Sequence, residues 1–170
     1  MTAGDRESEA TASASVCADF AAHPELVSST HLFFSDLSQR MLCDAEAAES
    51  VSMVVAELLE NLSKYGRGPA SSIEVAFDCT SDQRRVRIRT ANVATPERLE
   101  GLRKLLDEMR AWPDPIECYD HVIRTSVGRE GSGLGLARIR AETSMQLSFS
   151  FSGSEITIQA ESQPGERIPC

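Results

Sequence analysis

Basic charge is what this chain has least of. Seventeen Lys and Arg against 26 Asp and Glu leave its 170 residues with a net charge of -9. Such a protein has no broad basic face with which to neutralise the phosphates of a nucleic acid duplex, so no nucleic acid partner is expected. An anionic membrane surface is disfavoured on the same ground. No apolar run approaches the roughly 20 residues of a membrane-spanning helix. The Ala-, Ser-, Thr- and Glu-rich start of the chain lacks the apolar core of a secretory signal. A disordered tail is expected over residues 1–18. Five scattered cysteines, Cys17, Cys43, Cys79, Cys118 and Cys170, offer no pair at metal-ligand spacing. They read as reduced structural thiols of a cytoplasmic protein.

What is present is the balance of a soluble globular domain, 41% hydrophobic and 25% charged. Neither a repeat nor a linker divides it, so one domain is expected over residues 19–162, with a second tail at 163–170. Leu32, Phe33, Leu37, Met41 and Leu42 recur near helical spacing over about 28–42. A longer amphipathic helix follows over 44–65, carried by Ala48, Val51, Val54, Val55, Leu58, Leu59 and Leu62 and stopped by Gly66 and Gly68-Pro69. Ile73, Val75 and Phe77, then Val86 and Ile88 beyond a turn at 80–83, alternate with polar neighbours as an antiparallel hairpin. A second hairpin is expected from 146–152 and 155–160 across Ser152-Gly153-Ser154. Between the hairpins lie a helix marked by Leu99, Leu102, Leu105, Leu106 and Met109, a shorter one marked by Ile116, Tyr119, Val122 and Ile123, and a last one over 134–145. This order predicts an α/β two-layer sandwich, its helices on one face of a mixed, mostly antiparallel sheet.

Two segments carry chemistry. Gly131, Gly133 and Gly135 remove side chains directly before a helix anchored by Leu134 and Leu136. Backbone N–H groups and the positive end of the helix dipole can hold phosphate there, although glycine punctuation also serves as a plain flexible turn. Upstream, Glu57, Asn61 and Lys64 share a helix face. An amide oxygen suits Mg2+, a carboxylate one turn away can polarise a hydroxyl or water, and an ammonium can offset phosphate charge. Taken alone, the triplet is equally a solvated face with a Glu–Lys interaction.

Glu57-Leu58-Leu59-Glu60-Asn61-Leu62-Ser63-Lys64-Tyr65 resembles the N box of the GHKL superfamily (gyrase, histidine kinase, MutL). Gly131-Ser132-Gly133-Leu134-Gly135-Leu136 resembles its glycine-rich lid-to-helix box. The likeness runs from about 28 to 161 and implies the Bergerat-type ATP-binding fold, with ATP and Mg2+ as cofactors. It implies Asn61 as metal ligand, Glu57 as general base, Lys64 as phosphate contact, and Gly131, Gly133, Leu134, Gly135 and Leu136 as the segment closing over the phosphates. The superfamily's Asp-x-Gly-x-Gly box is absent, and Thr90-Ala91-Asn92-Val93 stands in its place. Asn92 is there either an amide facing adenine or an ordinary turn residue.

Thr-Ala-Asn after a strand, together with Gly-Leu-Gly-Leu-Ala-Arg-Ile-Arg-Ala-Glu, resembles a narrower group, the stand-alone bacterial SiaB-type regulators related to anti-sigma-factor serine kinases. That resemblance implies a partner-switching kinase acting on Ser or Thr of a small regulatory protein, an anti-sigma antagonist or SiaC-like partner. The alternative is a non-catalytic module of the same fold that sequesters a regulator, its nucleotide structural or absent. A mechanical ATPase would need transducer domains that this sequence does not contain. An exposed edge strand could pair two copies in a homodimer. His31 lacks the context of a phosphoacceptor and reads as structural or exposed. Tyr119 and His121 read as lid or helix surface, and Trp112 as a packing anchor or partner contact.

Overall fold

A computed structural model gives the structure over residues 12–20, 23–42, 44–65, 71–80, 84–125 and 133–162. Gly66, Gly68, Pro69, the turn residues 81–83 and Gly131 with Ser132 lie outside these described residues.

Helix α1 (Pro24–Met41) begins four residues before the expected 28, because Pro24 sets the first-turn torsion and Glu25 complements the helix dipole. Its buried contacts are few, chiefly Phe34 and Ser38, and the Ser38 hydroxyl donates to Phe34 O at 2.7 Å. Helix α2 (Ala45–Tyr65) starts where Asp44 Oδ1 accepts from the backbone N–H of Glu46 and Ala47. One face of α2, from Val51 through Leu62, is buried at 2% exposure or less. His31 Nε2 lies 3.0 Å from Ser52 Oγ and ties α1 to α2, a structural placement.

Among the described residues five strands form one sheet in the order β1-β2-β3-β5-β4, from β1 (Ala12–Phe20), β2 (Ser71–Cys79), β3 (Arg84–Val93), β4 (Gln146–Ser152) and β5 (Glu155–Glu161). Among the described residues all four pairings are antiparallel, so the sheet expected to be mostly antiparallel is wholly so. A strand also takes up the last part of the expected tail, whose first eleven residues lie outside the described ones. Residues 12–18 belong to β1, which pairs with β2 along its whole length. Val16 and Ala18 pack against the core, but a run of Ala and Ser has little intrinsic strand preference to announce it.

The sheet's inner face is apolar over most of its length. Ile73, Val75 and Phe77 of β2, Val86 and Ile88 of β3, and Ile156, Ile158 and Ala160 of β5 are all buried. On the outer face Arg85, Arg87 and Arg89 stand exposed. Against the inner face lie α2, α3 (Pro96–Ala111), α4 (Pro115–Thr125) and α5 (Leu134–Glu142). Thr95 caps α3 by accepting from Arg98 N, and Asp114 Oδ1 caps α4 at Ile116 and Glu117. Helix α5 stops at Glu142 rather than 145, where Thr143 turns extended and its hydroxyl back-bonds to Ile139 O. Arg140 fastens α5 to the corner between α3 and α4, donating to the carbonyls of Met109 and Trp112. Cys79 and Cys118 are buried core thiols. Among the described residues no helix is long and apolar enough to cross a membrane.

Candidate functional site

Between α2, α3, the start of α5 and the sheet lies a cavity of about 300 Å³. That is the small end of the roughly 300–1,000 Å³ typical of ligand sites. Its walls are mostly aliphatic, and five side chains with polar groups line it: Asn61, Tyr65, Thr90, Asn92 and Arg98. The amide nitrogen of Asn61 is buried and makes no hydrogen bond. Leaving such a group unpaired costs about 1–3 kcal/mol, so it calls for a partner in the cavity, a water or a ligand.

Asn92 is the second-last residue of β3 and is buried; its Nδ2 donates only a long 3.4 Å bond to Val93 O. It is a strand residue facing the cavity, and not a turn residue. Thr90, two positions earlier and so on the same face, is 2% exposed. Arg98 sits at the rim. Its Nη1 donates to Lys64 O and Tyr65 O at 3.2 and 3.1 Å, and its guanidinium carbon lies 5.7 Å from the centre of the Tyr65 ring. It thereby ties α3 to the carbonyl end of α2.

Gly133 adopts φ +69°, the left-handed conformation open to glycine, immediately before α5. A Cβ there would overlap the side chain of Leu105 from α3. A Cβ on Gly135 would collide with Oε2 of Glu57, so this carboxylate lies directly against the first turn of α5. Glu57 is largely shielded, its side chain 15% exposed, and its Oε1 accepts from Arg138 Nη1 at 3.1 Å. Arg138 Nε also donates to Glu142 Oε2 at 2.9 Å. These two carboxylates hold the guanidinium protonated even beyond the usual arginine range, Glu142 contributing most.

Leu136 is buried and lines the cavity, whereas Leu134 is partly exposed. Lys64 does not line it. Its ammonium turns to Glu60 Oε1 at 2.7 Å, with both side chains more than half exposed, and this hydrogen bond raises the lysine's pKa. Lys64 is seven residues from Glu57, and Glu60 one turn before it offers the nearer carboxylate. Tyr119 packs partly buried against the core, and the His121 ring stacks at 4.9 Å on Trp112, both away from the cavity.

Thr90, Arg98, Leu105 and Arg138 went unrecognised in the sequence. Thr90 and Asn92 extend the alternation of Val86 and Ile88, a signal that was readable. Arg138 showed its pairing with Glu142 four residues on but not its contact with Glu57, which is 81 residues away.

Among the described residues no group of three or more His, Cys, Asp or Glu is placed to hold a metal. A Mg2+ would therefore rest on the Asn61 amide oxygen, waters and the ligand's own oxygens. That set suits an ion which keeps several waters, and it fits the donors present.

Residues 20–149 match the histidine kinase-like ATPase domain, and the chain belongs to that family. No curated protein matches it. Among solved structures it is similar to a chain in the crystal structure of the SiaB–SiaC complex from Pseudomonas aeruginosa, at 15% identity and a TM-score of 0.62. The likeness covers 86% of this chain and 88% of that one, and at this identity it shows a shared fold. The fold is thus the α/β, GHKL-type ATPase fold, and the domain is an ATP-binding one by family.

Proposed function

We propose that this chain is a regulatory protein kinase that binds Mg-ATP and transfers its terminal phosphoryl group to Ser or Thr of a small partner protein. The observation that carries the reading is the buried, unpartnered amide of Asn61 in the cavity wall, one helical turn from a shielded Glu57 laid against the start of α5. Asn61 would hold Mg2+ through its amide oxygen while its unpartnered N–H would donate to a ligand oxygen, and the ion would offset phosphate charge. Glu57 is the general base, and Gly133 to Leu136 bring backbone close to the phosphates. The base of the nucleotide lies between the aliphatic walls, with Thr90 and Asn92 as its polar contacts. The nucleotide-binding unit takes in β1 together with the expected residues 19–162, and the protein works in the cytoplasm. The complex named for the structural neighbour supports a small protein as the partner.

One observation favours the second reading, a partner-binding module without catalysis. Leu105 rests on Gly133, so phosphates entering there have to displace the α3 side chain. Calorimetric titration with ATP, with and without Mg2+, separates the two readings. The kinase reading expects micromolar binding that needs both the metal and Asn61; no binding at millimolar ATP overturns it and leaves the module.

A further inference from the structure

Glu57 does not stand alone against α5. The guanidinium of Arg138 joins it to Glu142, four residues further along the same helix, so the fork is anchored on α5 before it reaches across to α2. The bond to Glu57 is a single one, through Oε1 at 3.1 Å, and not a bidentate clamp. The other oxygen, Oε2, is left against Gly135, the second residue of α5, where a Cβ would strike it. One oxygen is therefore held and the other is presented at the helix start.

We propose that Arg138 is a positioning residue that holds Glu57 by Oε1 so that Oε2 faces the phosphoryl acceptor. This role rests on the kinase reading above. In the transfer the acceptor hydroxyl gives its proton to Oε2 while its oxygen bonds to the γ-phosphorus. The bond from that phosphorus to the β–γ bridging oxygen breaks, ADP leaves with the electron pair, and Glu57 then passes the proton to water. Arg138 touches none of the reacting atoms. A carboxylate freed from it would sample rotamers in which Oε2 no longer faces the acceptor, which slows the step without weakening nucleotide binding.

The test uses the full chain with Mg-ATP, water serving as the acceptor, and follows phosphate release together with calorimetric binding. Arg138→Gln is expected to keep its KM within about twofold and to lose at least about tenfold in kcat, and Arg138→Lys to regain part of the loss. Glu142→Gln, at the exposed end of the chain of ion pairs, removes the anchor without threatening the fold and should cost about threefold in kcat. A crystal structure of Arg138→Gln gives a readout independent of turnover, with the Glu57 carboxylate expected to leave Gly135. An unchanged or raised kcat, or a carboxylate still resting on Gly135, overturns the role. Failure of the unaltered protein to bind Mg-ATP overturns the kinase reading itself, whereas normal binding with unchanged kcat in the variants overturns Arg138 alone.

Discussion

The cavity has a helical end and a sheet end. At the helical end Asn61 of α2 and Gly133 line the cavity, and Glu57, one turn before Asn61, lies against Gly135 of α5. At the sheet end Thr90 and Asn92 rise from β3 beside their β5 partners Ile158 and Ile156. The two ends differ in how their polar groups are satisfied. Asn61 has a buried amide nitrogen without a partner, while Asn92 has one weak bond to its own strand. The helical end therefore holds a polar group that a ligand or a water has to satisfy, and the sheet end is closer to finished without one. Metal-dependent binding should be decided at the first and base selection at the second.

The largest effect expected follows from breaking the helical end. Asn61→Ala should lower affinity for Mg-ATP by at least about a hundredfold, roughly 2.7 kcal/mol, and abolish the difference between titrations with and without Mg2+. Its melting temperature should stay level or rise, because the substitution removes a buried group that had no partner. A fall in stability together with retained metal-dependent binding would mean that the amide serves the fold and not the ligand.

Gly135→Ala separates position from binding within the same end. The new methyl group meets Glu57 Oε2 and drives the carboxylate from α5. Transfer should slow by roughly ten- to a hundredfold, the range for a misplaced catalytic group. Affinity measured by calorimetry should change far less. Equal losses in both would place Glu57 among the binding contacts.

At the sheet end Asn92→Ala should weaken ATP by about tenfold, near the 0.5–1.5 kcal/mol of one hydrogen bond, and leave the dependence on Mg2+ intact. Competition between ATP and GTP checks the assignment, since loss of a base contact should narrow the preference between them. If Asn92→Ala instead removed the metal dependence, the division between the two ends would be wrong.

The same division explains what was legible in the sequence. Helix α2 announced itself through a 3.6-residue apolar pattern, and Glu57 and Asn61 four positions apart had to share a face whatever surrounded them. Glycines before Leu134 and Leu136 marked the start of α5 as directly. Contacts between elements were a different matter. Arg98 reaches α2 carbonyls more than thirty residues away, and Leu105 meets Gly133 across the cavity. Strand β1 was hidden for another reason, since Ala14, Val16 and Ala18 show weak alternation and gain their strand conformation from pairing with β2. Where a single helix fixes the geometry, spacing was enough; where packing fixes it, spacing was silent.

Lys64 gives the smallest effect and the clearest contrast with Asn61 three residues before it. Its ammonium pairs with Glu60 on an exposed surface and does not line the cavity. Lys64→Ala should therefore change stability by only about 0.3–0.5 kcal/mol, the worth of an exposed pair one helical turn apart. Its sign with pH follows from the hydrogen bond to Glu60, which raises the lysine's pKa in the folded state. A raised folded pKa means that the folded protein holds this proton more tightly, so the contribution is full below the unfolded lysine value near 10.4 and is lost as pH rises through the folded one. Denaturant melts of the unaltered protein and Lys64→Ala should thus differ slightly at pH 7 and converge at strongly alkaline pH. A large drop in ATP affinity in Lys64→Ala would instead show that the side chain leaves Glu60 for the phosphates once the nucleotide is bound, and would join it to the helical end.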